Sequence, residues 1–228
     1  MNNPKTHPKR RVLVTGAARG IGKAIATLYA EMGHEVITPT RAELDLSSVP
    51  AVESYLAASP PDIDVLINNA GENRAFPLDQ LGTGDWERML AINLTAPMLL
   101  MVHAARGMCG RGWGRVVNIS SCFSLVSRAG RGSYAATKAG LNGLTRSAAI
   151  EYAPRNVLVN AVCPGFVETD LTRQNNSAEQ IAALCRQVPL GRLAQPSEVA
   201  RYVYFLGSDD NTYITGQTAV IDGGFLCQ

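Results

Sequence analysis

Short, continuous runs of apolar residues alternate along this chain with longer stretches of helical periodicity. The predicted strands are residues 11–14, 35–38, 64–68, 115–119, 157–162 and 218–221. The predicted helices are residues 21–32, 134–152 and 197–206, and the apolar segment 91–105 has the composition of a buried helix. Strands that are apolar at every position are buried on both faces, as in a parallel sheet covered by helices. The pattern predicts one α/β domain over residues 11–228, with a Rossmann-type, doubly wound parallel sheet.

Composition narrows the class of protein. The chain has 228 residues, of which 46% are hydrophobic and 18% charged, as in an ordinary soluble globular domain. The formal net charge of +2 argues against a nucleic-acid partner. A polar, proline-containing tail over residues 1–10 is expected to be flexible. Five cysteines without a CxxC pair argue against both a disulfide framework and a metal site.

No segment has the character of a signal peptide or of a membrane span. The most apolar stretch, residues 91–105, contains Asn93, Pro97 and His103. It is too short and too polar to cross a bilayer by itself. We therefore expect a cytoplasmic protein with reduced thiols and without membrane contact.

A glycine-rich turn, TGAARGIG at residues 15–22, follows the first predicted strand and opens the first predicted helix. Glycines at this spacing let the backbone turn tightly and approach a pyrophosphate, while the helix N-terminus directs its N–H groups at the charge. A glycine turn alone is weak evidence, but the strand and helix around it supply the required context. The predicted cofactor contacts here are Gly16, Ala18, Arg19, Gly20, Ile21 and Gly22.

Further motifs follow in a fixed order along nearly the whole chain. They are Asn68-Asn69-Ala70-Gly71, Asn93, Ser121, Tyr134-Ala135-Ala136-Thr137-Lys138, Pro164-Gly165 and Asp222-Gly223-Gly224. Together with TGxxxGIG, this set resembles the short-chain dehydrogenase/reductase family. The C-terminal third is most similar to bacterial 3-oxoacyl-[acyl-carrier-protein] reductases. The resemblance implies an oxidoreductase that acts on CH–OH and carbonyl groups with a nicotinamide cofactor.

The end of the second strand indicates which nicotinamide cofactor is bound. An acidic residue there reads a free ribose 2′-hydroxyl, whereas arginine reads a 2′-phosphate. Alignment on Gly33 puts Thr40 at the family's acidic position, Arg41 follows it, and Arg19 lies in the glycine turn. The alternative is that both arginines are solvated surface groups. The missing acid and the two arginines together favour NADP(H) over NAD(H).

The chain departs from the family after the second strand, where the family has a full helix before its third strand. Here Arg41 leads almost directly into residues 42–46, which resemble that third strand and its terminal Asp45-Leu46, expected near the adenine. The sequence therefore predicts that one helix is missing between strands 2 and 3. A shorter segment leaves the adenosine half of the site more open. It also changes the position from which the Arg41 side chain reaches the cofactor.

The predicted reaction centre combines Tyr134 and Lys138, which lie four residues apart on one helix face, with Ser121 at a strand end. A lone Tyr-xxx-Lys pair is common on surfaces, but Ser121 stands at the family's spacing. Ser120 is the competitor, and only one of the two serines faces the site. By resemblance, Ser121 binds the carbonyl oxygen, Tyr134 transfers its proton and Lys138 lowers the tyrosine pKa and binds the ribose. Asn93, also by resemblance, holds a water that links Lys138 to solvent.

The resemblance assigns further residues to the cofactor and the substrate. Tyr134 and Lys138 also contact the cofactor, and the other predicted contacts are Asn69, Ala70, Gly71, Pro164, Gly165, Val167 and Thr169. Residues 170–190 are expected to form a substrate lid. Family members pair helices equivalent to residues 98–105 and 136–150 between subunits, so a homotetramer or homodimer is expected, with burial inside the monomer as the alternative.

The substrate is the least determined feature of the sequence. The resemblance implies a 3-oxoacyl thioester, either free or bound to a carrier, as the substrate. Sugar, polyol and secondary-metabolite dehydrogenases share the same motifs and are the alternative. A catalytically silent NADP-binding sensor or scaffold is a further alternative, opposed by the intact Ser/Tyr/Lys set. Five arginines have two interpretations: Arg106, Arg111, Arg115, Arg128 and Arg131. They form a basic rim that binds an acidic carrier or a phosphorylated substrate, or they are scattered, solvated surface residues. The second interpretation is favoured here.

Overall fold

A computed structural model describes residues 8–58 and 62–228. Six parallel strands form one sheet in the order β2-β1-β3-β4-β5-β6. Their bounds are β1 Arg11–Val14, β2 Glu35–Ile37, β3 Val65–Asn68, β4 Gly114–Ile119, β5 Val157–Pro164 and β6 Thr218–Ile221. Every predicted strand is present, within two residues of its expected ends, and the predicted α/β fold is confirmed.

Helices cover both faces of this sheet. They are α1 Gly20–Glu31, α2 Val49–Ala58, α3 Thr83–Leu90, α4 Ala96–Arg111, α5 Gly132–Tyr152, α6 Asp170–Asn175, α7 Ala178–Arg186 and α8 Pro196–Gly207. Successive strand residues face opposite sides, so Val12 and Val14 pack with α1 and α8, whereas Leu13 packs with α2, α4 and α5. Two buried apolar layers result, which is the doubly wound architecture that the continuous apolar strands predict.

The segment after β2 is only partly as predicted. As expected, the structure has no helix between β2 and residues 42–46, but those residues form a turn instead of a strand. The Glu43 carboxylate accepts hydrogen bonds from the backbone N–H and the hydroxyl of Thr40, at 2.7 and 2.8 Å, and the Leu44 N–H donates to the Thr40 carbonyl at 2.9 Å. These bonds form a turn, and β2 is the edge strand of the sheet. The unpredicted helix α2 then leads to β3.

Helical residues run from Thr83 to Arg111 through α3, a π-helical turn at Ala91–Thr95 and α4. By length and composition, this whole stretch could cross a membrane. The expectation that residues 91–105 are too short to do so therefore does not apply to the longer helical stretch that contains them. The core helix of a soluble protein meets the same criterion. Leu100, Met101 and Met108 of α4 are buried in the core beside the sheet, as the prediction of a buried helix requires.

The N-terminal tail lies partly outside the described residues, which begin at residue 8. Arg10, at the end of the predicted tail, is held in place. Its guanidinium pairs with Asp209 at 2.6 Å and lies 3.5 Å from the ring centroid of Trp113.

Candidate active site

The glycine turn between β1 and α1 has the shape of a phosphate cradle. Gly16 and Gly20 have φ values of +67° and +56°, in the left-handed region that favours glycine. A Cβ on Gly22 would lie 2.3 Å from both the Asn69 Nδ2 and the Gly16 carbonyl oxygen. Arg19 is the N-cap of α1, and no side chain caps that end of the helix. The N-terminus of a twelve-residue helix therefore faces the turn without a capping side chain, as anion binding requires.

The loop after β3 is tied directly to this cradle. Asn69 donates from Nδ2 to the carbonyls of Thr15 and Gly16, at 2.9 and 3.1 Å. The Thr15 hydroxyl oxygen accepts the backbone N–H groups of Asn69 and Ala70, both at 3.0 Å. Gly71 lies close to both Asn93 and Lys138, since an added Cβ there would be 3.2 Å from the Asn93 Oδ1 and 3.4 Å from the Lys138 Nζ. The two loops and Lys138 thus form one rigid wall.

Ser121 and Tyr134 meet at the carboxyl end of β4. Ser121 lines the same hollow as Tyr134, and its hydroxyl acts to lower the pKa of the phenol. It also accepts the Phe123 N–H at 3.2 Å, which fixes the turn at Cys122–Ser124. The Ser120 hydroxyl instead donates to the backbone carbonyl of Lys138 at 3.2 Å. The geometry therefore directs Ser121, and not Ser120, at the tyrosine.

Burial controls the ionisation of both titratable groups at the centre. Lys138 is buried, its Nζ donates to the Ile119 carbonyl at 2.8 Å, and burial lowers its pKa to about 8. Burial also raises the pKa of Tyr134 to about 12, and the opposing hydrogen bond from Ser121 is the weaker influence. The Lys138 Nζ lies 5.8 Å from the Tyr134 ring centroid. The net shift of the Tyr134 pKa is therefore upward and set by burial, and Lys138 is not among the groups that move it, in contrast to the lowering that the resemblance implies.

Asn93 lies in the π-helical turn Ala91–Thr95, is fully buried, and does not line the cleft. Its Oδ1 accepts the Glu72 N–H at 2.9 Å, and its Nδ2 donates to the Glu72 carbonyl at 2.9 Å and to the Thr137 hydroxyl at 3.2 Å. These bonds fix the loop after Gly71 against α5. A π-helical turn also changes the backbone pairing locally and is frequent at functional sites. The water expected beside Asn93 stays a prediction.

The predicted catalytic and cofactor-binding residues, except Asn93, line one continuous cleft at the carboxyl ends of β1, β3, β4 and β5. We call it the cofactor cleft. One half is lined by Gly16, Ala18, Arg19, Gly20, Ile21, Gly22, Asn69, Ala70, Gly71, Ser121, Tyr134, Lys138, Pro164, Gly165, Val167 and Thr169. The other half holds Asp45 and Leu46, and Arg41 lines both halves. The cleft lies where the strand order reverses between β1 and β3, the usual ligand position in such sheets.

Several residues of the cleft were missed from the sequence. Glu72, Arg74 and Arg88 line its outer half, where Arg88 Nε lies 2.8 Å from a Glu72 carboxylate oxygen and Arg74 Nη1 lies 3.1 Å from Asp85. Asn73 lines both halves. The available signal was the run of polar residues directly after Asn69-Ala70-Gly71. Arg88 comes from α3, and no local pattern connects it with the glycine turn.

A second hollow adjoins the Ser121 and Tyr134 side of the centre. We call it the Arg131 cavity, and it is lined by Asn73, Ser121, Cys122, Phe123, Arg128, Arg131, Tyr134, Gly165, Phe166, Val167, Thr172, Asn176 and Leu184. Three of these residues belong to the predicted lid region 170–190. Thr169 begins that region by capping α6, since its Oγ1 accepts the Thr172 N–H at 3.2 Å. The cavity opens onto the reacting groups and has the position of a substrate pocket.

Comparison with known proteins places this site in a family. A family model described as Enoyl-(Acyl carrier protein) reductase matches residues 42–226. The 3-oxoacyl-[acyl-carrier-protein] reductase FabG of Vibrio cholerae is 40% identical over 233 residues, covering 93% of this chain and 95% of the relative. This chain belongs to the short-chain dehydrogenase/reductase family. The predicted family is confirmed, and so is the predicted class of enzyme, an oxidoreductase of alcohol and carbonyl groups.

Several dehydrogenases with other substrates also match this chain over nearly its whole length. The cis-4-hydroxycyclohexanecarboxylate dehydrogenase of Sinomonas cyclohexanicum is 39% identical over 242 residues, covering 95% of this chain and 96% of the relative. A putative gluconate 5-dehydrogenase of Beutenbergia cavernae, solved with bound NADP, superposes with a TM-score of 0.91 at 33% identity and covers 98% and 99% of the two chains. A gluconate 5-dehydrogenase of Burkholderia cenocepacia, solved with NADP and tartrate, gives a TM-score of 0.90 at 30% identity and covers 98% of each.

Proposed function

We propose that this protein is an NADP(H)-dependent oxidoreductase that reduces a ketone to a secondary alcohol, or catalyses the reverse reaction. The observation that carries the proposal is that Ser121, Tyr134 and the buried Lys138 line the same cleft as the glycine cradle. The cradle fits a dinucleotide, because Gly16 and Gly20 have positive φ values and Gly22 lies so close to Gly16 and Asn69 that only glycine allows this tight turn at the helix N-terminus. Arginines at the adenosine half fit a 2′-phosphate.

In the proposed reaction, bound NADPH supplies the hydride to the carbonyl carbon. The hydroxyls of Ser121 and Tyr134 both donate to the carbonyl oxygen and orient it. Tyr134 releases its proton to that oxygen as negative charge develops there. The Lys138 ammonium then stabilises the phenolate that remains. Asn93 holds the surrounding backbone in place, since its side chain bonds the backbone N–H and carbonyl of Glu72 and donates to the Thr137 hydroxyl of α5.

The ionisation of the two groups predicts the pH profile of ketone reduction. A Tyr134 pKa of about 12 keeps the phenol protonated, hence able to donate, throughout the neutral range. Lys138 is charged below its pKa of about 8 and neutral above it, so its stabilisation of the phenolate is lost as the pH rises through 8. We expect kcat/KM for reduction, measured with saturating NADPH, to fall above about pH 8. Lys138→Arg keeps the charge and should move this fall to higher pH; a wild-type rate that rises through this range contradicts the assignment.

The choice between NADPH and NADH depends on Arg41 in the proposal. Its side chain is 74% exposed at the outer half of the cleft, and its Nε lies 3.9 Å from the Asp45 carboxylate, a contact too long to hold it firmly. We expect Arg41→Ala to weaken NADPH binding about tenfold, because a charge-assisted contact contributes about 1.5–3 kcal/mol. NADH binding should not change. Fluorescence titration with both cofactors measures this, with Arg106→Ala as a remote control; equal loss for both cofactors would remove Arg41 from the 2′-phosphate site.

Two substrate classes are supported by different observations. The similarity to 3-oxoacyl-[acyl-carrier-protein] reductases favours a 3-oxoacyl thioester, bound to a carrier. The similarity to the gluconate and hydroxycyclohexanecarboxylate dehydrogenases favours an alcohol that bears a carboxylate. NADPH consumption with a panel of thioesters, oxo acids and neutral ketones tests the proposed reaction. Reduction of at least one member is expected, and NADPH binding without any reduction would contradict it.

The remaining parts of the proposal concern the whole molecule. We propose that α6 and α7 form a lid over the Arg131 cavity, since Thr172, Asn176 and Leu184 line it. We also propose a cytoplasmic homotetramer or homodimer built on α4 and α5. Sedimentation of a monomer at working concentration would contradict the oligomer.

A further inference from the structure

Two arginines and no carboxylate line the Arg131 cavity among the described residues. Arg131 is the N-cap residue of α5, half-buried, three positions before Tyr134. Residues three apart at a helix start face the same side. Arg128 lies at the rim of the cavity with its guanidinium 5.2 Å from the Phe123 ring centroid. The cavity therefore carries uncompensated positive charge beside the group that transfers the proton.

Arg131 is held in place while most of its donors stay available. Its Nη1 donates to the side-chain oxygen of Asn73 and, at 3.4 Å, to the Asn73 carbonyl. A guanidinium has five N–H donors, and in the described part of the chain the Nε and Nη2 of Arg131 have no protein acceptor. The charges of Arg131 and Tyr134 influence each other, and burial lowers the pKa of Arg131. A positioned, partly desolvated guanidinium with free donors binds a carboxylate in bidentate fashion.

The rest of the cavity fits a short substrate. Phe123 and Phe166 give the cavity an apolar wall: Phe166 packs edge-on against Phe123 and against Phe225, at ring-centroid distances of 6.3 and 5.1 Å. Asn176 and Thr172 add neutral polar groups from the lid side. The positive charge lies next to Tyr134 itself. The phosphate of a carrier-bound thioester is separated from the reacting carbonyl by a whole pantetheine arm, so it does not match this charge.

We propose that Arg131, assisted by Arg128, forms an anion subsite that selects substrates carrying a carboxylate a few bonds from the reacting carbonyl or alcohol carbon. The proposal rests on the proposed function and specifies its substrate class: short oxo acids and hydroxy acids in place of neutral ketones or thioesters. Arg131 binds the carboxylate, Ser121 and Tyr134 bind the carbonyl oxygen, and the substrate is thereby fixed at two points across the cleft.

Calorimetric titration of the NADP-saturated protein with tartrate tests the subsite without turnover. Tartrate should bind, and dimethyl tartrate, which lacks the charges, should bind about 10- to 100-fold more weakly. Arg131→Gln should weaken tartrate to the level of its ester, Arg131→Lys should be intermediate, and the matched Arg106→Gln should behave as wild type. NADP affinity, measured by fluorescence, checks that each variant is folded. Equal binding of acid and ester, no binding of either, or tartrate binding unaffected by Arg131→Gln would overturn the subsite.

Kinetics then separate this inference from the function on which it rests. Linear 2-oxo, 3-oxo and 4-oxo acids are compared with their methyl esters and with a 3-oxoacyl thioester of N-acetylcysteamine. We expect wild-type kcat/KM to favour at least one acid over its ester by about tenfold or more, and the preference to vanish in Arg131→Gln. Selective tartrate binding without reduction of any carbonyl would contradict the proposed function and leave the subsite standing. Reduction of esters and thioesters as well as acids, independent of Arg131, would sustain the function and overturn the subsite.

Discussion

Replacing Tyr134 with phenylalanine is expected to lower kcat for ketone reduction by about 1000-fold, within the range that a positioned general acid contributes. The phenol lines the cofactor cleft together with Ser121, and its raised pKa keeps the transferable proton in place at neutral pH. Phenylalanine keeps the ring and removes only the hydroxyl. NADPH affinity should therefore stay within about twofold of wild type, which fluorescence titration measures.

The matched control for this change is Tyr213→Phe, because Tyr213 is 94% exposed and lies away from the cleft. That variant loses the same hydroxyl and should retain wild-type kcat. Ketone reduction by Tyr134→Phe at more than about a tenth of the wild-type rate would mean that another group delivers the proton. Parallel losses of kcat and NADPH binding would indicate structural damage instead.

Replacing Gly22 with alanine is expected to abolish measurable NADPH binding and to lower the free energy of unfolding by about 1–3 kcal/mol. The added Cβ would lie 2.3 Å from the Asn69 Nδ2 and from the Gly16 carbonyl, so the hydrogen bonds that join the two loops have to break or shift. Both loops line the cofactor cleft. Denaturant unfolding and NADPH titration measure the two effects separately.

Gly110→Ala provides the matched control for the glycine change. Gly110 lies in α4, is exposed, and has no neighbouring atom within 4 Å of an added Cβ. Alanine there should stabilise the protein by about 0.5–1 kcal/mol, since glycine is unfavourable inside a helix, and should leave NADPH binding unchanged. Wild-type cofactor affinity in Gly22→Ala would contradict the assignment of the turn to the phosphates.

Features that depend on local sequence could be predicted well. The six strands are continuous apolar runs, which can be recognised from neighbouring residues alone. The glycine turn can be recognised in the same way, because it directly follows the first strand. The spacing of Ser121 and Tyr134 predicted that both belong to one site, and in the structure both line the cofactor cleft and the Arg131 cavity. The family resemblance supplied the order of these motifs.

Features that depend on distant contacts could not be predicted. Residues 42–46 have the apolar pattern of a strand, yet hydrogen bonds between Thr40 and Glu43 close them into a turn. The pKa of Tyr134 is raised because the surrounding chain shields the phenol from water, and residue spacing alone does not predict that burial. The opposite influence, the charge of Lys138, was the one visible in the sequence.

The arginines show the same limit. Arg111 pairs with Asp64 at 3.2 Å, and Arg115 is buried, donating to the Asn211 carbonyl at 2.9 Å. Only Arg128 and Arg131 of the five considered line the cavity beside Tyr134. The prediction of a scattered solvated surface agrees with the exposed Arg106 and Arg111 but is wrong for the buried Arg115, and the fold brings Arg128 and Arg131 to the candidate active site.

Transfer of deuterium tests the central claim most directly. The wild-type protein is incubated with NADPH carrying deuterium at both positions of the reactive nicotinamide carbon and with the best substrate of the ketone panel, and the product is analysed by mass spectrometry and NMR. The proposed function predicts an alcohol with one deuterium on the carbinol carbon, and none of this product from Tyr134→Phe over the same period. An alcohol without deuterium, or no alcohol from any ketone while NADPH is bound, would contradict it.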